Sequence, residues 1–159
     1  YFNDKETLYL HTLEAAYQKV RLQEAELDLD HLAPFEALSR LVRFTFCHHA
    51  KNPDFIRLVM IENIHHGRFL AQSELIQSLN AGVIDALTNV YARGLEEGCF
   101  REGLDPRELH WLISALSFFN VSNQHTFSRI FDWHQAAPEN QQKLEEHVTE
   151  MVLRYVRPE

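Results

Sequence analysis

Residues 105–121 read D-P-R-E-L-H-W-L-I-S-A-L-S-F-F-N-V. Asp105 has the short acceptor side chain that suits a helix N-cap, Pro106 fits the first helical position, and Glu108 stands where it can close a capping box. The spacing predicts a helix from Pro106 to about Ser122. Beyond its first turn this helix is apolar on nearly every face. A helix with one wet side carries only an apolar stripe, so this one must be covered on two sides. Ser114, Ala115 and Ser117 are small enough to let another element approach closely on one flank.

The same punctuation recurs outward from that segment. Gly98, after Leu95-Glu96-Glu97, reads as the stop of a preceding helix that starts near Ser73 and buries Ile76, Leu79, Val83, Leu87 and Val90. Asn52 as cap and Pro53 at the first position open a shorter helix ending near Gly67, with Phe55, Leu58, Val59 and Glu62 on one side. Phe35 to His49 forms another, with Leu38, Leu41, Val42 and Thr45 aligned. The first helix runs from Asp4 or Lys5 to about Leu27, with Asn3 as cap, Glu6 three residues on, and Leu10, Leu13, Tyr17, Val20 and Leu27 inward. Toward the C-terminus, N-Q-H-T-F-S-R-I-F-D-W is a short turn or helical segment. Pro138 then opens a last helix in which Leu144, Val148, Met151, Val152 and Tyr155 recur every three or four residues. No convincing strand is found. The fold class is all-α, a helical bundle of about six long helices.

Composition narrows the function. A chain of 159 residues with 45% hydrophobic content is one globular domain or a domain and part of another. The formal charge of −8 argues against a large phosphate-binding surface, which needs clustered Lys and Arg. Cys47 and Cys99 form no C-x-x-C pair, and a reduced, cytoplasmic setting is the simpler reading. No apolar run approaches the roughly 18 residues of a membrane span, and no signal peptide stands at the front, so no membrane association is expected.

Ten histidines invite a metal reading. His48-His49 and His65-His66 end successive helices, separated by a helix of about a dozen residues that spans roughly 18 Å. One ion cannot take both pairs at about 2 Å. Both pairs read as ordinary surface or helix-end histidines. Glu62 and His65 form a single E-x-x-H, whereas di-iron bundles need two such motifs and two further carboxylates. No nucleophile elbow or phosphate loop occurs. No cofactor and no catalytic residue are assigned.

The opening Y-F-N-D-K-E-T-L-Y-L-H-T-L-E resembles the join between the DNA-reading head and the body of TetR-family transcriptional regulators. Tyr1, Phe2, Lys5, Glu6, Leu8, Tyr9, Leu13 and Glu14 match, while Thr12 replaces the usual aliphatic residue. Asn52–Pro53, the E-N-x-x-x-G at Glu62–Gly67, the G-x-x-x-G-x-F region around Gly98 and the D-P-x-x-L at Asp105–Leu109 are similar to a subgroup of that family's sensing bodies. The resemblance implies that residues 1–4 are the remnant of a largely missing helix-turn-helix head, and that residues 5–159 form a ligand-binding and dimerisation domain. It implies a repressor acting on operator DNA through that head, a homodimer, and a small apolar or aromatic effector.

Site residues follow as expectations. Glu62 is the polar anchor of an otherwise apolar pocket, with Phe46, His49, Tyr91, Trp111, Ser114 and Phe118 around the ligand. The same aromatics serve equally as core. Arg57 and Arg68 are the arginines within reach of a carboxylate effector. Tyr1 and Lys5 take DNA-backbone contacts, or are a frayed end and a solvated charge. Leu116, Phe119 and Asn120, with Val148, Val152 and Tyr155 of the last helix, form a four-helix dimer seam, or pack within the chain. A metal-dependent helical-bundle enzyme and a ligand-free α-helical interaction domain are the two rivals.

Overall fold

The computed structural model describes residues 4–158, which form helices joined by turns and short connections, with no strand among them. Seven α-helices occur in this stretch: α1 (Lys5–Ala25), α2 (Pro34–Lys51), α3 (Pro53–Ile64), α4 (Glu74–Glu96), α5 (Pro106–Ser122), α6 (Gln124–Ile130) and α7 (Pro138–Val156). Short 3-10 turns at Leu29–His31 and Leu70–Gln72 join α1 to α2 and α3 to α4. Among the described residues no helix is long and apolar enough to cross a membrane.

Three helices start on side-chain caps. Asp105 Oδ1 accepts from the Arg107 N–H at 2.8 Å, with Pro106 at the first position of α5. Ser73 Oγ accepts from Ile76 N at 3.2 Å. At α1 the cap is Asp4, whose Oδ1 accepts from Thr7 N at 2.7 Å. Asn3, the expected cap, lies outside the described residues, as does Tyr1. Asn52 does not cap α3 either. Its amide donates back to the His48 carbonyl at 2.8 Å and so ends α2 instead.

The core is organised on α2, which packs chiefly on α5, α7 and α4. Leu38, Leu41, Val42 and Phe46 of α2 meet Leu87, Val90 and Tyr91 of α4, Leu109 and Ile113 of α5, and Val148, Val152 and Val156 of α7. Side chains this well enclosed stabilise the fold by roughly 1.5–3 kcal/mol each relative to exposure. The α4–α5 connection is pinned from below. Tyr91 Oη donates to the Arg101 carbonyl at 2.9 Å and accepts from Leu104 N at 3.0 Å. Gly94 is required here, because a Cβ on it would lie 2.1 Å from the Phe100 ring.

Helices α1 and α3 are placed differently. α1 packs mainly on α4, and α3 mainly on α5. The two do not close down on α2, and space is left between them.

Candidate functional site

The space between α1, α2, α3 and α5 is a cavity of about 630 Å³. Each helix contributes a stripe. α1 lends Tyr17, Val20, Arg21 and Glu24, which are one helical face at steps of three and four. α2 lends Phe44, Thr45 and His49. α3 lends Phe55, Val59, Met60, Asn63 and Ile64, and α5 lends His110, Trp111, Ser114, Ala115 and Phe118, while Asn80 of α4 closes one end. The lining is mostly aromatic and aliphatic, with a few convergent polar groups, which is the composition of a small-molecule site.

The polar groups divide into two sets. Arg21 and Glu24 are the only formally charged side chains in this lining, and they face each other at 2.6 Å. The second guanidinium nitrogen of Arg21 donates to Asn80 Oδ1 at 2.8 Å, tying α1 to α4. Burial pushes the Glu24 carboxyl above its ordinary range, with Arg21 working against that shift. The second set is histidine. Burial holds both His49 and His110 down at about 4, so both rings are uncharged near neutrality. His110 Nδ1 lies 3.5 Å from Ser114 Oγ, and His49 Nδ1 is buried without a hydrogen-bond partner.

Of the residues expected around a ligand, His49, Trp111, Ser114 and Phe118 are together on this wall. Phe46, Tyr91 and Glu62 are not. Phe46 sits on the other side of α2 from Phe44 and is part of the core. Tyr91 is near the far end of α4 from Asn80, and its hydroxyl is spent on the α4–α5 connection. Glu62, 1% exposed, flanks the α3 face that lines the cavity, but the following chain folds over its carboxylate. Oε2 accepts from Phe69 N at 3.2 Å and Leu70 N at 3.0 Å. Burial, with the Glu62 carboxylate nearby, pushes the phenol of Tyr9 on α1 up to about 12, although the Tyr9 hydroxyl makes no hydrogen bond. Arg57 and Arg68 also lie elsewhere. Arg57 pairs with Asp54 at 2.7 Å, and Arg68 with Glu6 at 3.1 Å.

Sequence reasoning missed Arg21, Glu24 and His110. A signal was present: Tyr17, Val20, Arg21 and Glu24 fall at steps of three and four, so a charged pair interrupts an apolar stripe. The histidine pairs also part company. His65 and His66 are exposed as expected, whereas His48 is buried and His49 faces the cavity. The α2 end is covered by α3, whose Phe55 ring lies 5.8 and 5.9 Å from the two imidazoles.

A second surface lies across α5 from the cavity. Trp111 is 67% exposed and touches both the cavity edge and a shallow groove lined by Asp105, Leu112 and Tyr155. Phe119, Met151 and Tyr155 are exposed on the same pair of helices, α5 and α7. The other residues expected at a dimer seam are turned inward. Val148 and Val152 belong to the core, and Leu116 is half-buried against it. Asn120 is buried in an amide network, in which its Oδ1 accepts from Gln135 at 2.7 Å and from Gln141 at 3.0 Å. Helix α7 buries Val148, Val152 and Val156, while the line through His147, Met151 and Tyr155 faces outward.

Residues 34–152 match the family described as tetracyclin repressor-like, C-terminal domain. The chain belongs to the TetR family. It is 31% identical over 128 residues to the HTH-type transcriptional repressor NicS of Pseudomonas putida, covering 80% of this chain. The chain spans 60% of that relative's length. The TetR family consists of transcriptional regulators rather than enzymes, and the metal-dependent enzyme reading gives way on that ground.

Proposed function

We propose that this chain is the effector-sensing and dimerising body of a TetR-type transcriptional repressor. A helix-turn-helix head preceding α1 reads operator DNA, and Lys5, exposed at the first position of α1, contributes a backbone phosphate contact with Tyr1. The observation that carries this reading is that the cavity shares its wall with α1. The helix nearest the head is thereby a ligand contact, and a ligand that fits one α1 position better than another shifts the population between them.

The connection between α3 and α4 supports the same reading. Arg68 pairs with Glu6 at 3.1 Å, Ser73 Oγ donates to Glu14 at 2.7 Å, and the Tyr9 ring meets the Phe69 ring at 4.9 Å. The first three turns of α1 are therefore bolted to the segment that follows α3, while α3 itself lines the cavity. Displacement of α3 by a ligand carries α1 with it. Two heads must meet half-sites about 34–36 Å apart, so a small tilt of each α1 lowers operator affinity.

A second copy covers the exposed face of Phe119, Met151 and Tyr155, with Trp111 at its margin. The effector is a small apolar or aromatic molecule. The decisive experiment follows operator binding by the full-length protein while a library of aromatic metabolites is screened by thermal shift. A ligand that raises the melting temperature should release the DNA. Ligands that bind and leave operator affinity unchanged would remove the sensor mechanism.

A further inference from the structure

A permanent donor on the cavity wall has no acceptor among the described residues. Thr45, Asn63 and Asn80 each turn a hydrogen back to a carbonyl of their own helix, on Leu41 at 2.9 Å, Val59 at 2.8 Å and Ile76 at 2.8 Å. Arg21 of α1 is placed differently. One of its terminal nitrogens meets the Glu24 carboxylate at 2.6 Å, and the other donates to Asn80 Oδ1 at 2.8 Å. Its Nε–H is buried and no group accepts from it. Buried polar groups are nearly always paired, so an orphan on a cavity wall marks a place that lacks its partner.

What that partner must offer follows from the side chain itself. A guanidinium carries five N–H groups, keeps its proton and has no lone pair to give. The orphan nitrogen of His49 is a donor or an acceptor according to its tautomer. Arg21 has no such choice, and only an acceptor satisfies it. Beside it the wall is aromatic: Tyr17, one turn earlier on α1, meets the Phe55 ring of α3 edge-on at 5.2 Å. Nε has no surface open to solvent, so an incoming oxygen reaches it only with a shift of the Arg21 side chain or of α1.

We propose that Arg21 anchors the effector on α1: the ligand presents an acceptor oxygen, of a carbonyl or a carboxylate, to Arg21 Nε, with its apolar body beside Tyr17 and Phe55. Recognition of the ligand and displacement of α1 are then one event. The proposal rests on the effector-sensing reading above and adds the polar group the ligand must carry and the residue that reads it.

The probes are acetophenone, benzoate and α-methylstyrene, which share a shape while only the first two carry an acceptor oxygen. Arg21→Met combined with Glu24→Leu removes the buried pair together and leaves neither charge alone. This double variant should weaken the oxygen-bearing probe about tenfold, the loss of one hydrogen bond to a charged donor, and leave α-methylstyrene unchanged. Whichever of acetophenone and benzoate loses the more affinity identifies the oxygen as that of a carbonyl or of a carboxylate. Arg21→Lys, which keeps a cation for Glu24 and lacks the Nε donor, is the second variant and should show the same selective loss. Unchanged affinity for both oxygen-bearing probes, or equal weakening of all three, would mean that Arg21 is only part of the scaffold, and would overturn the proposal while leaving the cavity as a binding site. If none of the three binds the unaltered chain at millimolar concentration, the sensing reading itself fails and takes this one with it.

Discussion

The two halves of α2 bury similar residue types to opposite ends. On one side Phe46, with Leu38, Leu41 and Val42, is locked into α4, α5 and α7. On the other, Phe44, Thr45 and His49 face open space. In the closed half, Tyr91 holds two backbone groups of the α4–α5 connection. In the open half, His49 keeps a buried nitrogen without a partner. Volume alone does not separate a core from a site. What separates them is how far the neighbouring helices close over α2: α4, α5 and α7 pack on one face, while α1 and α3 leave space against the other.

The sharpest break in this contrast should come from truncation. Leu41→Ala in the closed half should cost about 2–5 kcal/mol in urea unfolding, because the vacated volume is surrounded by fixed neighbours. Phe44→Ala at the open half should cost distinctly less, since its ring already borders empty space. Equal losses would mean that the cavity is collapsed in solution.

Next in size is a dependence on pH that belongs to the open half. In the unfolded chain both His49 and His110 protonate near 6.5, whereas in the folded chain they stay uncharged down to about 4. As pH falls through that window the unfolded state binds protons that the folded state refuses, so stability falls. The loss should amount to a few kcal/mol in all by pH 4, read from urea midpoints. His110→Leu should flatten the slope between pH 6.5 and pH 4. An unchanged slope would place His110 in water.

A smaller effect tests the bolt between α1 and the α3–α4 connection. Glu62→Leu deprives two backbone N–H groups of their acceptor and should cost about 1–3 kcal/mol. In the full-length protein it should also weaken the effect of ligand on operator affinity, with the affinity for ligand little changed. If the ligand's effect on DNA persists undiminished, coupling runs by another route.

Smallest of all for folding is the outer face. Met151→Lys should leave the unfolding midpoint within about 0.5 kcal/mol, because the side chain is exposed. Sedimentation should nonetheless show a weakened dimer. A dimer of unchanged strength would move the seam away from the α7 stripe that contains Met151.

The helices were legible because their ends are written locally. Asp105 and Pro106 open α5 and Gly98 closes the α4 end, all within a few residues of the turns they make. The site was legible only in part. Trp111, Ser114 and Phe118 lie at steps of three and four on one helix, and periodicity placed them together on the cavity wall. Glu62 shows where that reasoning stops. Its place on α3 was read rightly, yet the residues covering it are Phe69 and Leu70 of the next connection and Tyr9 from α1. His48 and His49 were read as surface or helix-end residues because nothing in their own helix announces that α3 covers them.

What the sequence determined by itself was the long helices, their starts at Pro53, Pro106 and Pro138, and the all-α class, since proline and apolar period act over a turn or two of the same segment; α3 stops at Ile64, short of the expected Gly67. The order of TetR-like motifs along the chain also carried the family, which the match over residues 34–152 shows independently. The tertiary structure alone decided which apolar stripe of α5 and α7 faces inward, which aromatics enclose space rather than fill it, and that Arg21 is already paired. Those outcomes depend on how helices distant in sequence cross. A helix with two apolar faces satisfies the hydrophobic effect equally well either way round until its neighbours are in place.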